Sequence, residues 1–205
     1  MQSQPPSPQA PKVRLQIALA ACSNARMSIS LAEARTIIET PKRLIDIRDW
    51  HVKPNRETRA ALYVYEARVR LAQSIPRGIW FRAHVFPAYP DTAKFQLDCE
   101  QPGTRAHLPL YRLEWRPVIP HTNGFAGPPE LQGLFIPRGR THEHICFDHA
   151  VEHEGRLRAG GVECARPIEP DFQTFSEALG RACAMLSIEN CGEIPKPHDQ
   201  GVFVL

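Results

Sequence analysis

The run LYVYEARVRL, from Leu62 to Leu71, is the first of four stretches that decide the fold. Ile79 to Ala88, Lys94 to Cys99 and His107 to Val118 repeat its character, rich in Val, Ile, Tyr, Phe and Trp and bounded by Pro or Gly. Side chains of this kind fit a half-buried pleated surface, so the four runs read as strands. The connections, such as Ile75-Pro76-Arg77-Gly78 and Gln101-Pro102-Gly103-Thr104, are too short for helical crossovers, and an antiparallel meander follows.

Upstream, Ser30-Leu31-Ala32-Glu33 is a capping box, and Leu31, Ala34, Ile37 and Ile38 recur at helical spacing until Pro41. Downstream, a proline- and glycine-rich loop runs from Pro120 to Arg140. Strands are expected at His142 to His149 and Arg156 to Cys164, with Glu154-Gly155 at their turn. A second helix is expected from Asp171 or Thr174 to about Leu186, where Thr174-Phe175-Ser176-Glu177 repeats the box and Asn190 and Gly192 stop it. The sequence thus predicts an α+β fold: an antiparallel sheet of about six strands with an N-terminal and a C-terminal helix. Residues 28–192 form the single domain. Residues 1–27, which begin MQSQPPSPQAPK, are expected to be disordered or an optional extension. Residues 193–205 form an extended tail whose Val202 to Leu205 suits an edge strand.

Composition narrows the function classes. A chain of 205 residues with 42% hydrophobic and 23% charged residues is an ordinary globular domain, and no stretch approaches the roughly 18 apolar residues of a membrane span. Leu19-Ala20-Ala21-Cys22 matches a lipoprotein cleavage pattern, but Arg14 and Gln16 interrupt the apolar region it needs. Six cysteines without a CxxC pair read as reduced thiols, and a cytoplasmic location with no membrane partner is expected. The net charge is +3, with 20 of the 25 basic residues Arg, a milder excess than a dedicated nucleic-acid binder carries. Arg68, Arg70, Arg82, Arg112 and Arg116 alternate on predicted strands, so an arginine-bearing face able to meet RNA or an acidic protein is one expectation. A solvated face balanced by Glu66 and Glu114 is the other.

The segment with chemistry brackets the long loop: His121-Thr122-Asn123 begins it and Arg138-Gly139-Arg140-Thr141-His142-Glu143-His144 ends it. Alternation along a strand puts His142 and His144 on one face, about 7 Å apart, and Thr141, Glu143 and Ile145 on the other. If the strand leading to Trp115 pairs with the one carrying His142, His121 returns beside them. Three readings follow. The histidines act as general acid and base in metal-independent RNA cleavage, with Arg140 or Arg138 stabilising the anionic transition state. Alternatively, His121, His142 and His144 hold a divalent ion. That spacing is similar to cupins, in which an acidic ligand and a glycine follow, here at Asp148 and Gly155; the glycine expected six residues before His142 is Ile136. In the third reading, the histidines and Asn123 bond the backbone of the long loop and hold it to the sheet. The sequence specifies no cofactor.

The order of these features, with Leu31-x-Glu33-Ala34 and Pro41-Lys42, a central sheet, His121-Thr122-Asn123, His142-x-His144, Asp171-Phe172 and Asn190, resembles a family of uncharacterised bacterial and phage-encoded proteins. Typical members carry a His-Arg/Thr-Asn-Pro-Asp-Gly turn, whereas Asn123 is followed here by Gly124-Phe125 and a longer loop. The resemblance implies the fold and the grouping of His121, Asn123, His142 and His144 as one site. Its phage setting implies a toxin, a defence factor or an inhibitor. Read from the residues, the alternative to catalysis is a binding protein that holds a protein or nucleic-acid partner through the arginine face at Arg112 and Arg116 or through the 120–140 loop.

Overall fold

In the computed structural model, which describes residues 29–54, 60–71, 78–100, 107–125, 127–149, 157 and 162–197, the four aromatic runs are the central strands of one antiparallel sheet. They are β3 (Ala61–Leu71), β4 (Ile79–Phe86), β5 (Tyr89–Glu100) and β6 (His107–Trp115). The sheet has eight strands. Its order is β1-β3-β4-β5-β6-β9-β10, with β1 (Lys42–Ile45), β9 (His142–Ile145), β10 (Ala165–Pro167), and β2 (His51–Pro54) also beside β3. Strand β3 is long enough for β1 to pair with Arg68 to Leu71 and β2 with Ala61 to Val64 along the same edge. The chain turns between them at Asp46, whose φ of 55° places it in the left-handed region that Asp tolerates.

The expected strand from His142 to His149 is half that length. After Ile145 the chain winds into a helical turn, α2 (Cys146–His149), because the three-residue apolar run Ile145-Cys146-Phe147 is too short to distinguish the two periods. The strand beside β9 is Ala165–Pro167 rather than the residues before Cys164; Val162 to Cys164 form no strand. The remaining residues of that expected strand, the turns at 101–104 and 154–155, residues 75–77, residues 1–27 and the tail at 202–205 lie outside the described residues.

Alternation divides the sheet into two unlike faces. Tyr65, Ala67, Phe81, Ala83, Phe95, Leu97, Tyr111, Leu113 and Trp115 are buried on one face, under α1 (Leu31–Glu39) and α3 (Phe175–Met185). Phe175 of α3 packs its ring 5.3 Å from Phe95 and 6.0 Å from Trp50, and Trp50 lies 5.6 Å from Tyr65. The capping box of α1 forms as expected, with Glu33 N–H donating to Ser30 Oγ at 3.2 Å and Ser30 N–H to Glu33 Oε2 at 2.9 Å. In α3 only half of it forms: Glu177 N–H donates to Thr174, while the Glu177 carboxylate accepts from Gln173 N–H. One acid sits on the apolar side: Glu143, held by Tyr111 Oη at 3.1 Å and by Arg181 of α3 at 3.0 Å.

Lys42 at the start of β1 is 1% exposed, and its ammonium donates to Ile38 O at 2.8 Å and to Leu186 O, carbonyls at the ends of α1 and α3. Burial lowers its pKa from 10.5 to about 7. Between those values the unfolded chain binds more protons than the folded one, so Lys42 makes stability rise with pH from about 7 to 10.5, by at most about 1.4 kcal/mol per unit. Urea midpoints at pH 6.5, 8 and 9.5 should show this rise in the native protein and a flatter profile in Lys42→Met. Parallel profiles in the two proteins would assign the dependence elsewhere.

Candidate metal centre

The polar face of the sheet carries two cross-strand rows that both end in a histidine. Register pairs Glu66, Arg82, Gln96, Arg112 and His144 in one row, and His84, Lys94, Glu114 and His142 in the next. The expected arginine face is therefore a lattice of ion pairs. Arg82 meets Glu66 at 2.9 Å and Asp98 at 2.5 Å, Arg112 Nε lies 3.1 Å from Glu114 Oε1, and Arg68 is paired with Asp46.

His142 and His144 face this side together, as alternation requires, and both are buried, at 1% and 0% exposure. His121 starts a short hairpin, β7 (His121–Thr122) with β8 (Phe135–Ile136), that the long loop forms on its own. It brings the third imidazole to the other two, with ring centroids 5.0 Å from His144 and 5.6 Å from His142; His142 and His144 are 5.0 Å apart. The sequence missed the fourth member. Glu114, opposite His142 in the ladder, places a carboxylate oxygen 3.7 Å from His142 Nε2. One ligand atom each from Glu114, His142 and His144 lies within 4.8 Å of the others.

Hydrogen bonds fix two of the ring tautomers. His142 Nδ1 lies 2.9 Å from the Arg140 carbonyl, which can only accept, so the proton is on Nδ1 and the lone pair on Nε2. That Nε2 is buried and has no hydrogen-bond partner. His121 Nε2 lies 2.9 Å from both Asn123 Oδ1 and Glu163 O, so it carries the proton and Nδ1 the lone pair. The Asn123 orientation is settled by its own partners: Nδ2 donates to Leu131 O and Ala165 O, and Oδ1 accepts from Ala165 N–H at 2.7 Å. Arg112 Nη2 approaches both nitrogens of His144, at 3.3 and 3.2 Å, and donates to Val162 O. A donor that is nearly equidistant from both nitrogens points along neither in-plane lone pair. Burial, followed by the charge of Arg112, holds His144 far below the usual imidazole range, and burial lowers His142 as well. Both rings are neutral imidazoles at pH 7, the form in which histidine can ligate a metal.

The other expected site residues are placed as follows. The Arg140 carbonyl orients His142, while its guanidinium pairs with Glu169. Arg138 makes no contact with the cluster among the described residues. Asn123 is a buried clamp that ties the loop to β10 and positions His121. Arg116, with φ at 46°, leaves the row of Arg112 and Glu114 and reaches Asp171 at 3.1 Å and Gln173 at 3.2 Å, ahead of α3. Asp148, the expected acidic ligand, pairs with Arg166 at 3.2 Å, and the carboxylate that lies within the cluster is that of Glu114. Gly155 lies outside the described residues. None of the helices among the described residues is long and apolar enough to cross a membrane. No family model, curated protein or solved structure matches this chain.

Proposed function

We propose that the chain is a divalent-metal enzyme whose ion is held on the polar face of the sheet by His142 Nε2, His144 and Glu114, with His121 Nδ1 as a further donor. The observation that carries this is the buried Nε2 of His142. A lone pair withdrawn from water and left unpaired costs about 1–3 kcal/mol, and here it is aimed at a second imidazole and a carboxylate. The Arg140 carbonyl behind Nδ1 is the kind of partner that orients ligating histidines and raises their basicity. Two imidazoles and a carboxylate suit zinc, cobalt(II) or iron(II) rather than calcium or magnesium, whose ligands are oxygens. Three such ligands leave a position for water or a substrate oxygen, and the ion supplies Lewis acidity there. Arg112, beside both His144 and Glu114, adds positive charge where an anionic substrate or transition state would bind.

Metal-independent RNA cleavage needs one imidazole charged and its partner neutral. Burial and Arg112 favour the neutral form of both strand histidines, and Glu169 occupies Arg140, so the geometry favours the metal. Titration of the metal-free protein with cobalt(II) should give one equivalent of tight binding with visible absorption. Glu114→Gln should weaken it by about tenfold or more, since loss of a group that only orients a ligand already costs about 10–100-fold. Identical titrations for the two proteins would refute the assignment of Glu114.

A further inference from the structure

A cavity of about 160 Å³ opens beside Glu114 on the same sheet face. Phe86, Pro117, Val118 and Ile119 form its walls, and Lys94 and Glu114 supply its polar floor. Ile119, 72% exposed, stands at the mouth. Cavities of about 150 Å³ lined by apolar side chains bind benzene, which sets the size of the body that fits. Lys94 sets the charge. It lies between His84 and Glu114 in the histidine-ended row, is half-buried, and makes no hydrogen bond or ion pair among the described residues. The carboxylate of Glu114 is directed to Arg112 and His142, and the hydroxyl of Thr92, the other polar group of the lining, donates to Arg116 O at 2.9 Å, which leaves the three Lys94 donors uncommitted. A half-buried cation without a hydrogen-bonding partner is best satisfied by an anion.

We propose that this cavity takes a small carboxylic acid with a compact apolar body of benzene size, its carboxylate lying between the Lys94 ammonium and the ion and its hydrocarbon against Phe86, Val118 and Ile119. The inference rests on the metal reading, because Glu114 serves both the cavity and the centre. An uncharged ligand would leave Lys94 unpaired, and an acid without the apolar body would leave the walls wet.

Benzoate is the probe, measured by calorimetry on cobalt-loaded protein, with benzamide and acetate as comparators and the cobalt spectrum as a second readout. The expected result is benzoate binding at least tenfold tighter than either comparator, with a change in the cobalt spectrum. Lys94→Met and the cavity-filling Val118→Trp should each weaken benzoate at least tenfold while retaining the cobalt spectrum, which shows that the fold and centre are intact. Cobalt bound with no preference for benzoate, or with a preference that neither variant alters, overturns the ligand and leaves the metal standing. Failure of the native protein to bind cobalt overturns both.

Discussion

His142→Ala should lower metal affinity by at least a hundredfold while leaving the melting temperature of the metal-free protein within a few degrees of the native value. The ring contributes one hydrogen bond, Nδ1–H to the Arg140 carbonyl, worth about 1 kcal/mol. Removing it also removes a buried nitrogen with no partner, so the loss in fold stability is partly offset. Its packing against His121 and His144 is lost as well, which sets the sign as a small decrease. Metal affinity has no such offset, because two of the three ligands remain but the one with a fixed tautomer and orientation is gone. A hundredfold is about 2.7 kcal/mol, the upper end of what loss of an orienting partner alone usually costs. Differential scanning fluorimetry with and without zinc checks both halves. A large fall in stability without metal would mean that the histidines hold the loop.

Asn123→Ala should have the opposite profile, a loss of about 2–4 kcal/mol in stability with metal binding weakened only in consequence. The side chain is 3% exposed and serves four groups: Leu131 O, both backbone groups of Ala165, and His121 Nε2. Alanine leaves both Ala165 groups buried and unpaired and deprives Leu131 O of one of its two donors, the other being Leu134 N–H at 3.2 Å. Because β10 lies at the end of the sheet order, Asn123 acts as the partner for its outer edge, and the hairpin bearing His121 is moored through it. Asn123→Asp keeps Oδ1 but faces two carbonyls with a carboxylate, so it should be no better tolerated. Urea denaturation of the two variants tests this. A loss below about 0.5 kcal/mol, the range of ordinary surface substitutions, would show that the loop is held by other contacts.

The sequence disclosed the site's parity more readily than its register. Two-residue alternation was enough to put His142 and His144 on one face and Glu143 on the other. The positions of His121 and His142 at the ends of one loop suggested their approach. Glu114 was legible only as a counter-charge, because its pairing with His142 depends on how the loop returns β9 to β6, and loop geometry leaves no periodic trace. The same limit hid β1 and β2, each four residues long and shorter than any window that reports a period. Strand β10 was hidden by Pro167, which an edge strand tolerates but a sequence pattern counts against. The turn of helix at Cys146–His149 takes in most of the short apolar run Ile145-Cys146-Phe147, which reads equally well as more strand. The arginine alternation holds for Arg68, Arg82 and Arg112, which share the polar face and pair with carboxylates there, while Arg116 is turned out of it by its left-handed backbone.

The central claim is that the imidazoles and Glu114 form a metal centre, and X-ray absorption at the zinc edge of the zinc-loaded protein tests it most directly. The expected spectrum shows imidazole scattering from two or three rings, with nitrogen and oxygen neighbours at about 2.0–2.1 Å. Sulfur neighbours at about 2.3 Å would move the metal to the thiols, and an oxygen-only shell without ring scattering would leave the histidine cluster without an ion; either result contradicts the assignment.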